Sequence, residues 1–157
     1  MTHKEKARNL FLNNCNCSQS VLCAFGDLTG LDERTALRLS SSFGGGMGRL
    51  REVCGALTGA FMVAGILYGY DDLEDKSLKT AHYERIQELA GSFEKENGSI
   101  LCRELLGLLE KRSQPVPDDR TPDYYKERPC LRIVESAAEI LDNYIKNHPL
   151  ETQEKTY

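Results

Sequence analysis

From Val53 to Tyr70 the chain runs eighteen residues without a charge, and it enters that run through Gly44-Gly45-Gly46-Met47-Gly48. A stretch of that length and polarity has two destinations, a bilayer or the centre of a protein core. Spanning a bilayer takes about 17–25 apolar residues. This run holds four glycines, a threonine and a cysteine, with no flanking lysine cluster to mark an inside face. It therefore reads as the central buried helix of a globular domain, with no stable membrane insertion. Small residues recur along it every four positions, as Gly55 and Gly59, then Gly65 and Gly69, beside a stripe of Ala56, Ala60 and Ala64. That spacing lets another helix backbone come close.

The rest of the chain is arranged around it with a helical period. His3 to Asn13 predicts a first amphipathic helix with Ala7, Leu10 and Phe11 on one face. Asn16, with Gln19 three residues on, is a capping box opening a helix from Cys17 to about Leu28. Asp32 caps a third helix to about Ser42. The glycine run follows, and the central helix begins near Arg51 or Glu52 and ends at Tyr68 before Gly69. Asp75 to Glu96 is a long charged helix, and Ser99 opens a short one to about Leu109. Ser113 to Pro129 carries four of the five prolines and reads as a surface loop. Cys130 to Asn147 is the last helix, and the tail from Pro149 reads as polar and frayed. No β alternation or internal repeat occurs. The expectation is one all-α domain spanning 1–157, ordered over about 3–147, a bundle of six or seven helices around the Gly/Ala-rich one.

The net charge is −4, and Lys and Arg are interleaved with Asp and Glu. Nucleic acid is not the expected partner, since phosphate binding needs a basic stripe. The opening MTHKEKARNLFLNN is polar and carries no leader pattern. The expected location is cytoplasmic, where thiols stay reduced.

Six cysteines then need a reason: Cys15, Cys17, Cys23, Cys54, Cys102 and Cys130. A reduced chain with an adequate core does not need a disulfide framework, and buried inert thiols explain some of them. Four of them, Cys17, Cys54, Cys102 and Cys130, fall at predicted helix N-termini. Free N–H groups and the positive end of the helix dipole favour a thiolate there, and the thiolate is both nucleophile and metal ligand. Cys15 lies in a loop two residues before Cys17, and Cys23 reads as buried packing. No common zinc or ferredoxin spacing occurs, and His3, His82 and His148 lie in charged surroundings without a partner at ligand spacing. Gly44 to Gly48 lacks the Gly-Lys-Ser/Thr end of a phosphate loop. Its glycines, with Gly55 and Gly59, are instead expected either to bring backbone N–H groups to the thiols (Gly45, Gly46 and Gly48 in the loop) or to act as a hinge. Arg49 and Arg51 flank the loop close to Cys54, where they either lower its pKa or lie exposed. Glu52 is the only suggestive acid.

At these residues the chain resembles a known family. Cys54-Gly55-Ala56-Leu57-Thr58-Gly59 is similar to the central motif of the four-cysteine family labelled C_GCAxxG_C_C, described as redox-active. The label writes GCAxxG, whereas this chain has Val53 before Cys54 and matches the CGAxxG form. NCSQSVLCAF (16–25), SILCRELLG (99–107) and ERPCLRIVESAAEIL (127–141) resemble the other three cysteine segments, in the family order. The resemblance covers about residues 3 to 147. It implies that Cys17, Cys54, Cys102 and Cys130 form the family's set, the same four picked out by their helix positions, and assigns nothing to Cys15 or Cys23. The family is small, mostly bacterial and archaeal, and often from anaerobes.

Three functions follow. The first is a thiol oxidoreductase, with Cys54 as the expected attacking thiol, a second cysteine resolving, and a partner protein or small thiol completing the cycle. The second is an electron carrier or sensor using the four thiolates as ligands for an iron–sulfur cluster, zinc or iron. The third is a non-enzymatic helical interaction module with structural thiols. The small-residue helix and the long 75–96 helix also offer surfaces for a homodimer.

Overall fold

The computed structural model describes residues 1–150, so most of the expected frayed tail, 151–157, lies outside the described residues. Nine helices follow in chain order: α1 (His3–Leu12), α2 (Cys17–Ala24), α3 (Gly26–Thr29), α4 (Glu33–Ser40), α5 (Gly55–Tyr68), α6 (Lys76–Asn97), α7 (Cys102–Leu105), α8 (Pro122–Glu127) and α9 (Cys130–Asn147). Between α4 and α5 the glycine run makes a left-handed turn rather than a helix, with φ of 68° at both Gly45 and Gly46. There is no strand among the described residues, and the fold is all-α as the sequence predicts. No helix in the described part is long and apolar enough to cross a membrane.

The helix starts have local causes. Asn16 accepts from the Gln19 N–H at 2.9 Å, and Gln19 returns a side-chain acceptor to the Asn16 N–H at 3.0 Å. Asp32 and Asp75 cap α4 and α6 one-sidedly, accepting the Thr35 and Ser77 N–H groups at 2.9 Å each. Each such cap satisfies N–H groups that a helix start leaves open.

Three boundaries depart from the sequence reading. The helix expected over 17–28 breaks at Phe25, whose N–H reaches back three residues to the Leu22 carbonyl while its buried ring stacks on His3 with centroids 4.1 Å apart. The central helix starts at Gly55, not near Arg51, because residues 52–54 are extended. Val53 bridges Leu101 in antiparallel fashion, the Cys54 N–H donates to the Ile100 carbonyl at 2.8 Å, and the Cys102 N–H donates to the Glu52 carbonyl at 2.7 Å. The short helix after Ser99 starts at Cys102 and stops at Leu105, before Gly107 turns left-handed. The segment expected to be wholly loop contains α8, capped by Thr121 with Pro122 in its first turn.

The core is organised around two helices, α2 and α5. α2 packs against α1, α4, α5 and α9, and α5 also meets α6 and α9. Phe11, Phe25, Phe93, Leu22, Leu57, Leu89 and Leu141 are its largest fully buried side chains. Gly55 and Gly59 are the closest approach of α5 to α2. A Cβ on Gly55 would stand 3.2 Å from the Ser18 nitrogen, and one on Gly59 would stand 2.8 Å from the Ser18 oxygen. The second small pair does not receive a helix: no neighbouring atom lies within 4 Å of a Cβ on Gly65.

Candidate functional site

The four expected helix-terminal cysteines do sit at helix starts. Cys17, Cys102 and Cys130 are the first residues of α2, α7 and α9, and Cys54 is the N-cap of α5. The topology then gathers them. The 52–54 and 100–102 bridge sets Cys54 beside Cys102, and the packing of α9 on α2 sets Cys130 beside Cys17. All four line one cavity of about 20 Å³, with Gly46, Gly55 and an apolar floor that includes Leu105 and Ile133. That is room for about one water-sized body. Cys54 and Cys102 are buried; Cys17 and Cys130 are partly exposed.

The thiols differ in acidity. The S–H of Cys17 and the nearby guanidinium groups of Arg128, Arg120 and Arg51 outweigh burial at Cys130 and bring its pKa down to about 7. Cys17, sharing a proton with Cys130 and buried against the other thiols, is pushed up. Burial takes Cys54 up to about 12, although the Ala56 and Leu57 N–H groups point at its sulfur. Cys102 is also raised by burial, against the pull of Arg51. Burial thus holds Cys54, the expected attacking thiol, in its protonated form at neutral pH. Its sequence neighbours do not help it. Arg51 is 3% exposed and donates to the Cys102 sulfur at 3.5 Å, while Arg49 turns away to the Gln114 carbonyl and Asp118. Glu52, the suggestive acid, pairs with Arg103 at 3.2 Å and does not line the cavity.

The glycines divide. Gly46 and Gly55 reach the thiols directly: a Cβ on Gly46 would stand 2.6 Å from the Cys102 Cβ, and one on Gly55 would stand 3.3 Å from the Cys17 Cβ. Gly45, Gly48 and Gly59 do not line the thiol cavity. The N–H groups directed at sulfur come from Ala56 and Leu57, not from the glycine turn. Cys15 and Cys23 also lie outside the cavity, both with raised pKa values caused mainly by burial, Cys23 to about 11. The four-thiolate metal centre can be tested on geometry. Tetrahedral zinc would hold its sulfurs roughly 3.8 Å apart, and among the described residues no three Cys, His, Asp or Glu side chains form a group that could hold an ion.

Sequence reasoning missed Arg120, Arg128 and Tyr124. The proline-rich segment stays largely exposed, as expected, but it lays Arg120, Tyr124 and Arg128 along a hollow shared with the cysteines. Arg120 stacks on Phe11, 4.3 Å from the ring centre, and on Tyr124 at 5.0 Å, while its two terminal nitrogens donate to the Phe11 and Cys15 carbonyls. Tyr124, half-buried beside Cys130, has its pKa pushed up to about 12, mainly by desolvation. The Arg128-Pro129-Cys130 run, a cation just before a helix-opening thiol, was the available signal.

No curated protein and no solved structure matches the chain. A family model described as "Putative redox-active protein (C_GCAxxG_C_C)" matches residues 15–144. That span takes in all six cysteines and most of the chain, and the protein belongs to this family.

Proposed function

We propose that the protein is a thiol–disulfide oxidoreductase in which Cys130 attacks and Cys17 resolves. The observation that carries this reading is the juxtaposition of Cys17 and Cys130, each opening a helix, on one cavity and partly open to solvent. The lowered pKa of Cys130 supports the assignment of attacker. Attack by the Cys130 thiolate on a substrate disulfide forms a mixed disulfide, and Cys17 releases the second thiol by attacking the Cys130 sulfur. Cys54 and Cys102 stand behind this pair as a buried second dithiol. A partner protein or small thiol in the cytoplasm would restore the reduced state.

The second reading keeps the same four cysteines as ligands of zinc or an iron–sulfur cluster. Four thiols on one cavity favour it, and it requires them to draw together from their present positions. One experiment separates the readings. Protein purified without oxygen is analysed for metal and acid-labile sulfide, then equilibrated in dithiothreitol redox buffers while free thiols are counted. The exchange reading predicts no bound metal and a reversible loss of two thiols that disappears in Cys130→Ser. Iron with sulfide, or zinc, lost on Cys54→Ser would establish the ligand reading instead. Six thiols indifferent to the buffer would leave a helical interaction module.

A further inference from the structure

A second hollow, of about 420 Å³, opens over the thiols. Cys17, Cys102 and Cys130 form part of its lining. Its walls carry Arg49, Arg51, Arg120 and Arg128 against one carboxylate, Asp118, in a chain whose net charge is −4. The concentration of cation here is therefore local, not a property of the whole surface.

Most of that charge is already engaged. Asp118 takes Arg128 at 2.7 Å and Arg49 at 3.2 Å. Arg120 is held by two carbonyls. Arg51 is different. Its Nε donates to the Ser113 hydroxyl at 2.9 Å and its Nη1 to the Cys102 sulfur, but its Nη2 has no partner among the described residues. Arg51 is 3% exposed, and a buried guanidinium N–H left without an acceptor is costly. The backbone is also held in the left-handed region at Arg49 (φ 67°) and Arg51 (φ 60°), a conformation that L side chains seldom adopt. A buried, unpartnered guanidinium N–H at the wall of a cationic hollow marks the place of an acceptor that arrives from outside.

We propose that this hollow selects small anionic disulfides, a substrate carboxylate filling the open donor of Arg51 beside Arg49 and Arg128 so that its S–S bond lies at Cys130. The proposal rests on the thiol–disulfide reading and adds the substrate class. A hollow of this size suits a small molecule rather than a folded partner. In the reaction the Cys130 thiolate forms a bond to one substrate sulfur and the substrate S–S bond breaks. The first thiolate leaves and takes a proton from water. Cys17 gives up its proton and attacks the Cys130 sulfur, expelling the second thiolate, which is protonated in turn. Two electrons pass from the protein dithiol to the substrate, leaving a Cys17–Cys130 disulfide and two small thiols.

The test is single-turnover oxidation of the reduced protein by three disulfides: anionic oxidised glutathione, neutral 2-hydroxyethyl disulfide and cationic cystamine. Each rate is divided by that of the same disulfide with free cysteine. The proposal predicts a normalised preference of about tenfold for the anion over the cation, shrinking as salt rises. It also predicts that Arg49→Gln narrows the anion-to-neutral ratio several-fold. Equal normalised rates, or a ratio untouched by Arg49→Gln, would overturn it. Calorimetric titration of folded Cys130→Ser protein with oxidised glutathione separates recognition from chemistry. Binding there, with no disulfide oxidising the wild type, removes the exchange reading and the substrate assignment together and leaves only an anion site. Oxidation by all three disulfides alike, with no binding to Cys130→Ser, removes the anion site and leaves the exchange reading standing.

Discussion

Cys54 and Cys130 both stand at helix starts, yet their acidities part by several units. A helix terminus contributes about 0.3–1 kcal/mol, and up to ~2 in partly buried geometry, which is roughly one and a half units of pKa or less. Full burial moves a thiol by up to ~3–5 units the other way. At Cys54 burial wins. At Cys130 the Cys17 S–H and three arginines tip the balance toward thiolate. Iodoacetamide should therefore label Cys130 first, with a pH midpoint near 7, followed by peptide mass spectrometry across pH. Because the shift lowers the folded pKa, labelling rises as pH passes that value, and Cys17→Ala should push the midpoint up by removing the S–H donor. A midpoint near 9 for Cys130 would contradict the assignment. A second prediction concerns Gly46, which combines φ 68° with close contacts to Cys102 and the Glu52 nitrogen. Gly46→Ala should cost about 2–5 kcal/mol in urea unfolding. Gly48→Ala, at φ 58° with an open side, should cost only about 1 kcal/mol.

At the scale of elements, α2 is the piece to perturb. It carries Cys17, packs against α1, α4, α5 and α9, and is held at its start by the reciprocal Asn16–Gln19 cap. Asn16→Ala should lower stability by about 1 kcal/mol, read as a shift of the urea midpoint without a change of slope. The caps at Asn16 and Asp32 were legible because a single side chain at a helix start determines each of them. The 52–54 and 100–102 bridge was not legible. Two short extended pieces carry no period, and nothing in either one names the other. That bridge is what delays α5 to Gly55 and brings Cys102 to Cys54. α8 had a signal, Thr121 before Pro122, but the density of prolines around it read as loop.

For the molecule as a whole, the sequence located four thiols at helix starts, and the fold turned that into one cavity. It could not say which thiol is the most acidic, because that depends on burial and on Arg120 and Arg128, more than sixty residues along the chain from Cys54, as well as on nearby Arg51. The same thiols set a pH dependence of stability. Cys130 ionises near 7 when folded, and a free thiol ionises near 9, so between those values the unfolded chain binds more protons and stability rises with pH. Cys54 keeps its proton to about 12 when folded, so from about 9 to 12 the folded state binds more protons and stability falls. Urea midpoints measured across pH should show the rise lost in Cys130→Ser and the fall lessened in Cys54→Ala.

The most direct test of the account is to oxidise the reduced protein with one equivalent of a mild oxidant, cap the remaining thiols, and map the disulfide by mass spectrometry. The account predicts a bond between Cys17 and Cys130 that dithiothreitol reverses, with Cys54 and Cys102 recovered as capped thiols. A first disulfide joining Cys54 to Cys102, or Cys15 to Cys23, with Cys130 left free would contradict it.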